Sequence, residues 1–217
     1  MSETGIGLVC EGPTDFPILE AALQTILHGR NLRFFHLHPE LDELSQKCAP
    51  AGWDRARAWC EQNRDRLEMF LELEPRIEIL VLQVDQDRAK DILGKRPKPA
   101  TPKSVGEKLR KHVLSVWLKK KKVPFCSFVA ATPAQATETW IVAAYDEVDS
   151  DYEKEKQYLR DLENVIREYI NSGRIKDLQT YSQLSTAIPS KWSRIRNLLS
   201  QAQVFSIQIE ACIKNRD

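Results

Sequence analysis

The residues best suited to chemistry in this sequence are acids. Glu11-Gly-Pro-Thr-Asp15 follows the short apolar run Gly5 to Cys10, and Asp85-Gln-Asp87 follows the almost unbroken aliphatic run Ile77 to Val84. Glu11 and Asp15 are four residues apart, so a helix opening here returns Asp15 to the face of Glu11. Were the two apolar runs neighbouring parallel strands, four carboxylates would point at one place. Like charges that close raise one another's pKa values, and a cation relieves the repulsion. Oxygen donors with no accompanying Cys or His indicate Mg²⁺ or Mn²⁺, not zinc. Each acid taken alone has a plainer role, as a helix cap or as a partner of the helix dipole. Their recurrence after two such strands is what favours a site.

The elements that must position these acids alternate. Gly5 to Cys10 reads as a strand. Ile18, Leu19, Ala22, Leu23, Ile26 and Leu27 recur at helical spacing from Phe16 onward, with a stop at His28-Gly29. A second strand is expected over Leu32 to Leu37, a helix over Trp53 to Leu71 and a central strand over Ile77 to Val84. A Pro/Lys-rich loop, Lys95 to Lys103, precedes a helix over Ser104 to Leu118 and a fourth strand over Phe125 to Ala130. This order predicts an α/β fold, a mostly parallel four-stranded Rossmannoid sheet flanked by helices. Ligands of such sheets bind beyond the carboxyl ends of the strands, where Glu11, Asp85 and Asp87 fall. After Ala130 the pattern is helical: Thr137 to Ala144, Asp151 to Ser172, Asp177 to Thr186, and Pro189 to Lys214 with a break near Gln201. The chain therefore divides into an α/β domain over 1–145 and a C-terminal helical extension over 146–217, packed on it.

With 32 Lys+Arg against 31 Asp+Glu the net charge is +1, so any taste for a polyanion must come from how charge is distributed. It is uneven. Arg88, Lys90, Lys95, Arg96, Lys98, Lys103, Lys108, Arg110, Lys111 and Lys119 to Lys122 stand against only Asp91 and Glu107, and the stretch begins directly after Asp87. The loop portion could lie over bound phosphate, whereas Lys119 to Lys122 reads as a solvated turn. Asp146 to Asp151, with Glu153 and Glu155, makes an acidic patch that would repel a phosphate backbone. Lys191, Trp192, Arg194 and Arg196 mix basic and aromatic residues, but a Trp there is more often a packing residue. His36 and His38 lack a third ligand, and Cys10 lacks a base.

Hydrophobic content of 42% with 29% charged residues excludes wholesale disorder. No apolar run reaches the roughly 18 residues a membrane helix needs, so a cytoplasmic protein with no membrane partner is expected. Five scattered cysteines without a CxxC pair argue against a disulfide scaffold. GxSxG, Walker A and GxGxxG motifs are missing, which disfavours a serine hydrolase, a self-contained ATPase and a dinucleotide oxidoreductase.

Glu-Gly-x-x-Asp after one strand and Asp-x-Asp after another about seventy residues later resembles the Toprim domain of topoisomerases, primases and OLD-family nucleases. The form at Glu11 to Asp15 is closest to OLD-type and RloB-like members, many from bacterial defence systems. Glu138-Thr-Trp140 resembles the Glu-x-Trp segment of the RloB-like proteins. The resemblance covers roughly residues 5–145. It implies a nuclease hydrolysing phosphodiesters of DNA or RNA with Mg²⁺ or Mn²⁺. Asp85 and Asp87 would be metal ligands, Glu11 a ligand or general base, Asp15 a second-metal ligand and Glu138 a further member. Arg88, Lys95, Arg96, Lys98 and Lys103 would hold nucleic acid, with Lys98 or Lys103 meeting transition-state charge. OLD-type proteins pair this domain with an ATPase, so a separate ATPase or regulatory partner is implied. A nucleotide-sized phosphate substrate, and a catalytically silent module that binds nucleic acid or a partner protein, stay open. So does a homo-oligomer formed through the apolar segment Val204 to Ile213.

Overall fold

The computed structural model describes residues 3–40, 50–72, 76–95, 97–119, 126–145 and 177–214. Four parallel strands, β1 (Glu3–Val9), β2 (Asn31–His38), β3 (Ile77–Gln83) and β4 (Ser127–Ala131), form one sheet in the order β2-β1-β3-β4. This is the expected α/β Rossmannoid sheet flanked by helices. The chain leaves β1 on one side to form β2 and returns on the other to form β3. That reversal opens a crevice between the carboxyl ends of β1 and β3, where ligands of open sheets bind.

Side-chain alternation sends β1 and β3 into two cores. Ile6, Leu8 and Cys10 share one face with Ile79 and Val81; Val9 shares the other with Leu80, Leu82 and Val84. The parity of β3 is reset by a bulge, since Gly5 pairs with Ile77 while Ile6 pairs with Ile79. Gly5 is required there: a Cβ would stand 2.1 Å from the Arg76 carbonyl oxygen. The first face is covered by α1 (Asp15–Ile26) and α6 (Glu138–Tyr145), and by α7 (Leu178–Ser185), α8 (Ile188–Leu198) and α9 (Ser200–Lys214). The second face is covered by α2 (Trp53–Asn63), α3 (Leu67–Glu72), α4 (Ala89–Leu93) and α5 (Pro102–His112).

Several boundaries differ from the sequence reading. The single helix expected over Trp53 to Leu71 is two, separated by a turn in which the Arg66 N–H donates to the Asn63 carbonyl. Leu67 and Leu71 can then enter the core beside Cys60. The helix expected from Ser104 begins at Pro102, which has no N–H to satisfy, and is capped by the Thr101 hydroxyl; it passes into a π-helical turn, Val113–Trp117. The break expected near Gln201 falls at Leu199, whose extended backbone separates α8 from α9. Gly29, at φ +84°, ends the turn after α1 as its position suggested.

The C-terminal helices share a core with the sheet. Trp192 is buried, its ring edge-on to Trp140 at 5.2 Å and its indole N–H donating to the Ser206 hydroxyl at 3.1 Å. It is a packing residue. Phe205, Ile209 and Ile213 turn into the same core, so most of the apolar face of Val204 to Ile213 is covered within the chain, while Ile207 is exposed. Among the described residues no helix is long and apolar enough to cross a membrane, and Cys10, Cys60, Cys126 and Cys212 carry free thiols. The helix expected over Asp151 to Ser172, the acidic patch from Asp146, the lysines 120–122 and Arg96 lie outside the described residues.

Candidate functional site

The carboxyl ends of β1 and β3 are tied together by side chains. Gln83, fully buried at the end of β3, accepts the Glu11 N–H on its Oε1 at 2.9 Å and donates from Nε2 to Asp85 Oδ1 at 2.5 Å. Glu11 returns the connection, its Oε1 accepting the Asp85 N–H at 2.8 Å. Two carboxylates are thereby fixed at the crevice, that of Glu11 by the Asp85 N–H across it and that of Asp85 by Gln83 of its own strand. The arrangement follows from local sequence: both acids sit two positions past a strand end, where the ladder no longer occupies their N–H groups.

Asp15, in the first turn of α1, is buried. Its Oδ2 accepts the Gly12 N–H at 2.8 Å and its Oδ1 accepts the Thr137 hydroxyl at 2.5 Å. Thr137 precedes Glu138, so this bond brings the start of α6 to the start of α1. Glu138 Oε1 accepts the Tyr181 hydroxyl of α7 at 2.9 Å. The loop after β3 is held to the loop after β4 by the bonds Gln86 N–H to Pro133 O and Asp87 N–H to Gln135 O, while Gln86 Nε2 donates to Thr132 O and Pro102 O.

These acids act on one another. Burial first, then the charges of Asp15 and Asp87, push the Glu11 carboxyl up to about 8, against the opposing Asp85 N–H bond and Arg88. Asp85 is raised well above the usual carboxylate range by burial, then by Asp15, Glu11, Glu138 and Asp87. The Cys10 thiol behind them is raised by burial, then by Asp15 and Asp85. Such shifts mark acidic groups taken out of water and set beside one another.

Glu11, Asp15, Asp85 and Glu138 therefore converge, with Asp87 on the exposed rim. Among the described residues no three His, Cys, Asp or Glu side chains are grouped so as to hold a metal ion in this arrangement. The donors nonetheless fit a hard divalent cation in kind, since all are carboxylate oxygens. Arg88 pairs with Asp91 at 3.0 Å, and Lys95, Lys98 and Lys103 are exposed. Lys108 Nζ donates to the Lys98 carbonyl at 2.6 Å, fixing the loop backbone but not the Lys98 ammonium.

Three residues that complete this network were not singled out as site residues by sequence reasoning. Gln83 gave one signal, a lone amide in an aliphatic strand two residues before Asp85. Thr137 was visible only as a helix start beside Glu138. Tyr181 lies 43 residues from Glu138 and gave no signal. The chain matches no protein-family model, no curated protein and no solved structure, which leaves the chemistry to be read from these residues themselves.

Proposed function

We propose that the protein is a Toprim-type, divalent-metal-dependent phosphodiesterase acting on DNA or RNA. The observation that carries this reading is the reciprocal hold between Glu11 and Asp85 at the switch point of the sheet, with Asp15, Asp87 and Glu138 close enough to raise their pKa values. Glu11, Asp15, Asp85 and Asp87 would hold Mg²⁺ or Mn²⁺, which when bound supplies Lewis-acid polarisation of a phosphoryl oxygen. In the alternative role the resemblance allows, Glu11 is the general base that takes a proton from an attacking water. Gln83 and Thr137 hold Glu11, Asp85 and Asp15 in place, so little reorganisation is left for the reaction. The exposed Lys95, Lys98 and Lys103 supply positive charge for a nucleic-acid backbone, and Arg88 and Arg96 add theirs. On the same reading the protein is the effector of a bacterial defence system, in the cytoplasm, under a separate ATPase or regulatory protein.

One observation favours the silent-module alternative. Both oxygens of Asp15 and one oxygen each of Glu11 and Asp85 already accept protein hydrogen bonds, and among the described residues no metal-holding group of three is arranged. The Asp85→Asn/Asp87→Asn variant decides between them. The amide that replaces the Asp85 carboxylate retains an acceptor for Gln83 and removes a charge the fold resists, so the variant should be at least as heat-stable as wild type without metal. Calorimetric titration with Mn²⁺, together with plasmid and single-strand cleavage in the same samples, should show binding and turnover lost in the variant. A wild type that binds no Mn²⁺ even with nucleic acid present would assign the carboxylates to structure and the protein to binding.

A further inference from the structure

Arg110, on α5, is held by the fold through groups that carry no charge. Its Nη1 donates to the Thr132 hydroxyl at 2.9 Å and to Gln201 Oε1 at 2.5 Å. Both partners are 2% exposed, and the Thr132 hydroxyl also donates to Gln201 Oε1 at 3.2 Å, so two donors converge on that amide oxygen. Gly106 leaves room for the amide, since a Cβ there would stand 2.2 Å from Gln201 Oε1. Through Gln86 Nε2, which donates to the Thr132 carbonyl at 3.0 Å, the same cluster reaches the loop after β3. The helical extension and the sheet thus aim one guanidinium together.

What is missing from this arrangement is an acid. Arg33 pairs with Glu3, Arg57 with Glu61, Arg88 with Asp91 and Arg196 with Glu210. Among the described residues no carboxylate pairs with Arg110; Glu107, which is exposed, acts on it only through space, while burial works against its charge. A guanidinium does not shed its proton in a protein, so the full positive charge stays. Nη1 alone is engaged, which leaves Nε and Nη2 for a further acceptor. An oriented, unneutralised fork of this kind matches the oxygens of a phosphate. The group stands beside Thr132, directly after β4, at the edge of the sheet where ligands of open sheets bind. Lys103 lies seven residues before it on the same side of α5, about 10 Å along the helix axis.

We infer that Arg110 is a phosphate-binding residue, aimed by Thr132 and Gln201, which takes a phosphodiester of a bound strand or a free phosphate. The inference stands on this guanidinium and goes beyond the metal-dependent reading, since neither the acids nor a cation enters it.

The test is fluorescence anisotropy of a labelled single-stranded oligonucleotide in EDTA at several salt concentrations, with wild type, Arg110→Gln and Arg110→Lys. Thermal melts of each with and without inorganic phosphate accompany it. Arg110→Gln should bind the oligonucleotide about 10-fold more weakly. It should also lower the slope of log K against log salt by about 1. Arg110→Lys keeps the charge and the long stem but loses the fork, so it should keep the slope and still bind more weakly than wild type; it carries the test if the Gln variant does not fold. Unchanged oligonucleotide binding, with a phosphate-induced rise in melting temperature in wild type that is reduced or missing in the variants, would assign the residue to free phosphate. Wild-type responses to both probes in whichever variants fold would overturn the inference and leave Arg110 a tie between α5, β4 and α9, with the metal reading untouched. A wild type that responds to neither probe would overturn it together with the nucleic-acid reading.

Discussion

Around Glu11 and Asp85 the carboxylate oxygens meet protein donors, while a few residues along the chain Lys95, Lys98 and Lys103 stand in solvent. The acids are held by backbone N–H groups, a buried amide and buried hydroxyls, even though this pushes negative charges together. The lysine side chains extend into water. A fixed geometry favours a reaction at one point, and long, solvated side chains favour a contact that shifts along a polymer. Damage to the first region should therefore alter stability and chemistry together, and damage to the second should alter only affinity for polyanions.

The most forceful way to break the contrast is Gln83→Leu. The substitution conserves apolar packing on the strand but leaves the Glu11 N–H without its acceptor and Asp85 without its donor. Two such losses in a buried setting cost about 2–5 kcal/mol together. For a chain of this size that is a fall in melting temperature on the order of 10 °C, read by calorimetry. A change of a degree or less would mean that the strand ends are held by the sheet alone and that the amide is incidental.

A gentler probe is pH. Because the fold raises the Glu11 and Asp85 pKa values, it favours their protonated forms. The stabilisation is complete below the ordinary carboxylate pKa and is lost as pH rises through the folded value, about 8 for Glu11. His38 and His112, both lowered by burial, give the opposite slope at about pH 6.5 and below. The melting temperature without metal should therefore fall by a few degrees between about pH 7 and about pH 8.5. Added Mg²⁺ should flatten that fall. A flat profile without metal would show that the acids are less crowded than their hydrogen bonds suggest.

The smallest effect is expected from Lys98→Ala and Lys103→Ala. Each should leave stability and Mn²⁺ affinity unchanged and reduce the slope of log K against log salt for nucleic acid by about 1. An unchanged slope would move the polymer away from this loop.

The sheet could be read from the sequence because its strands are aliphatic and its acids follow strand ends, both of which are local patterns. Glu11, Asp85 and Asp87 were visible for the same reason and Asp15 by its four-residue spacing from Glu11, whereas Glu138 was named only through the resemblance of Glu138-Thr-Trp140. What holds them was not. Gln83 looks like a weak point in a strand until its two partners, one of them 72 residues away, are known. Tyr181 looks like one more aromatic on an amphipathic helix. The turn after Asn63 was hidden too, because Arg64, Asp65 and Arg66 carry no breaker signal and only the packing of Leu67 and Leu71 interrupts the helix there.

The shared core of sheet and C-terminal helices also sets a timetable. A ribosome adds about 5–20 residues per second, so several seconds separate the synthesis of β4 from that of α9. During that interval the face bearing Ile6, Leu8, Ile79 and Val81 lacks the cover of Trp192, Phe205 and Ile209, and Glu138 lacks Tyr181. A chain stopped before α7 has its acids and the groups that hold Glu11, Asp15 and Asp85, while Glu138 waits for the Tyr181 hydroxyl and the sheet face waits for its cover until α9 has left the exit tunnel.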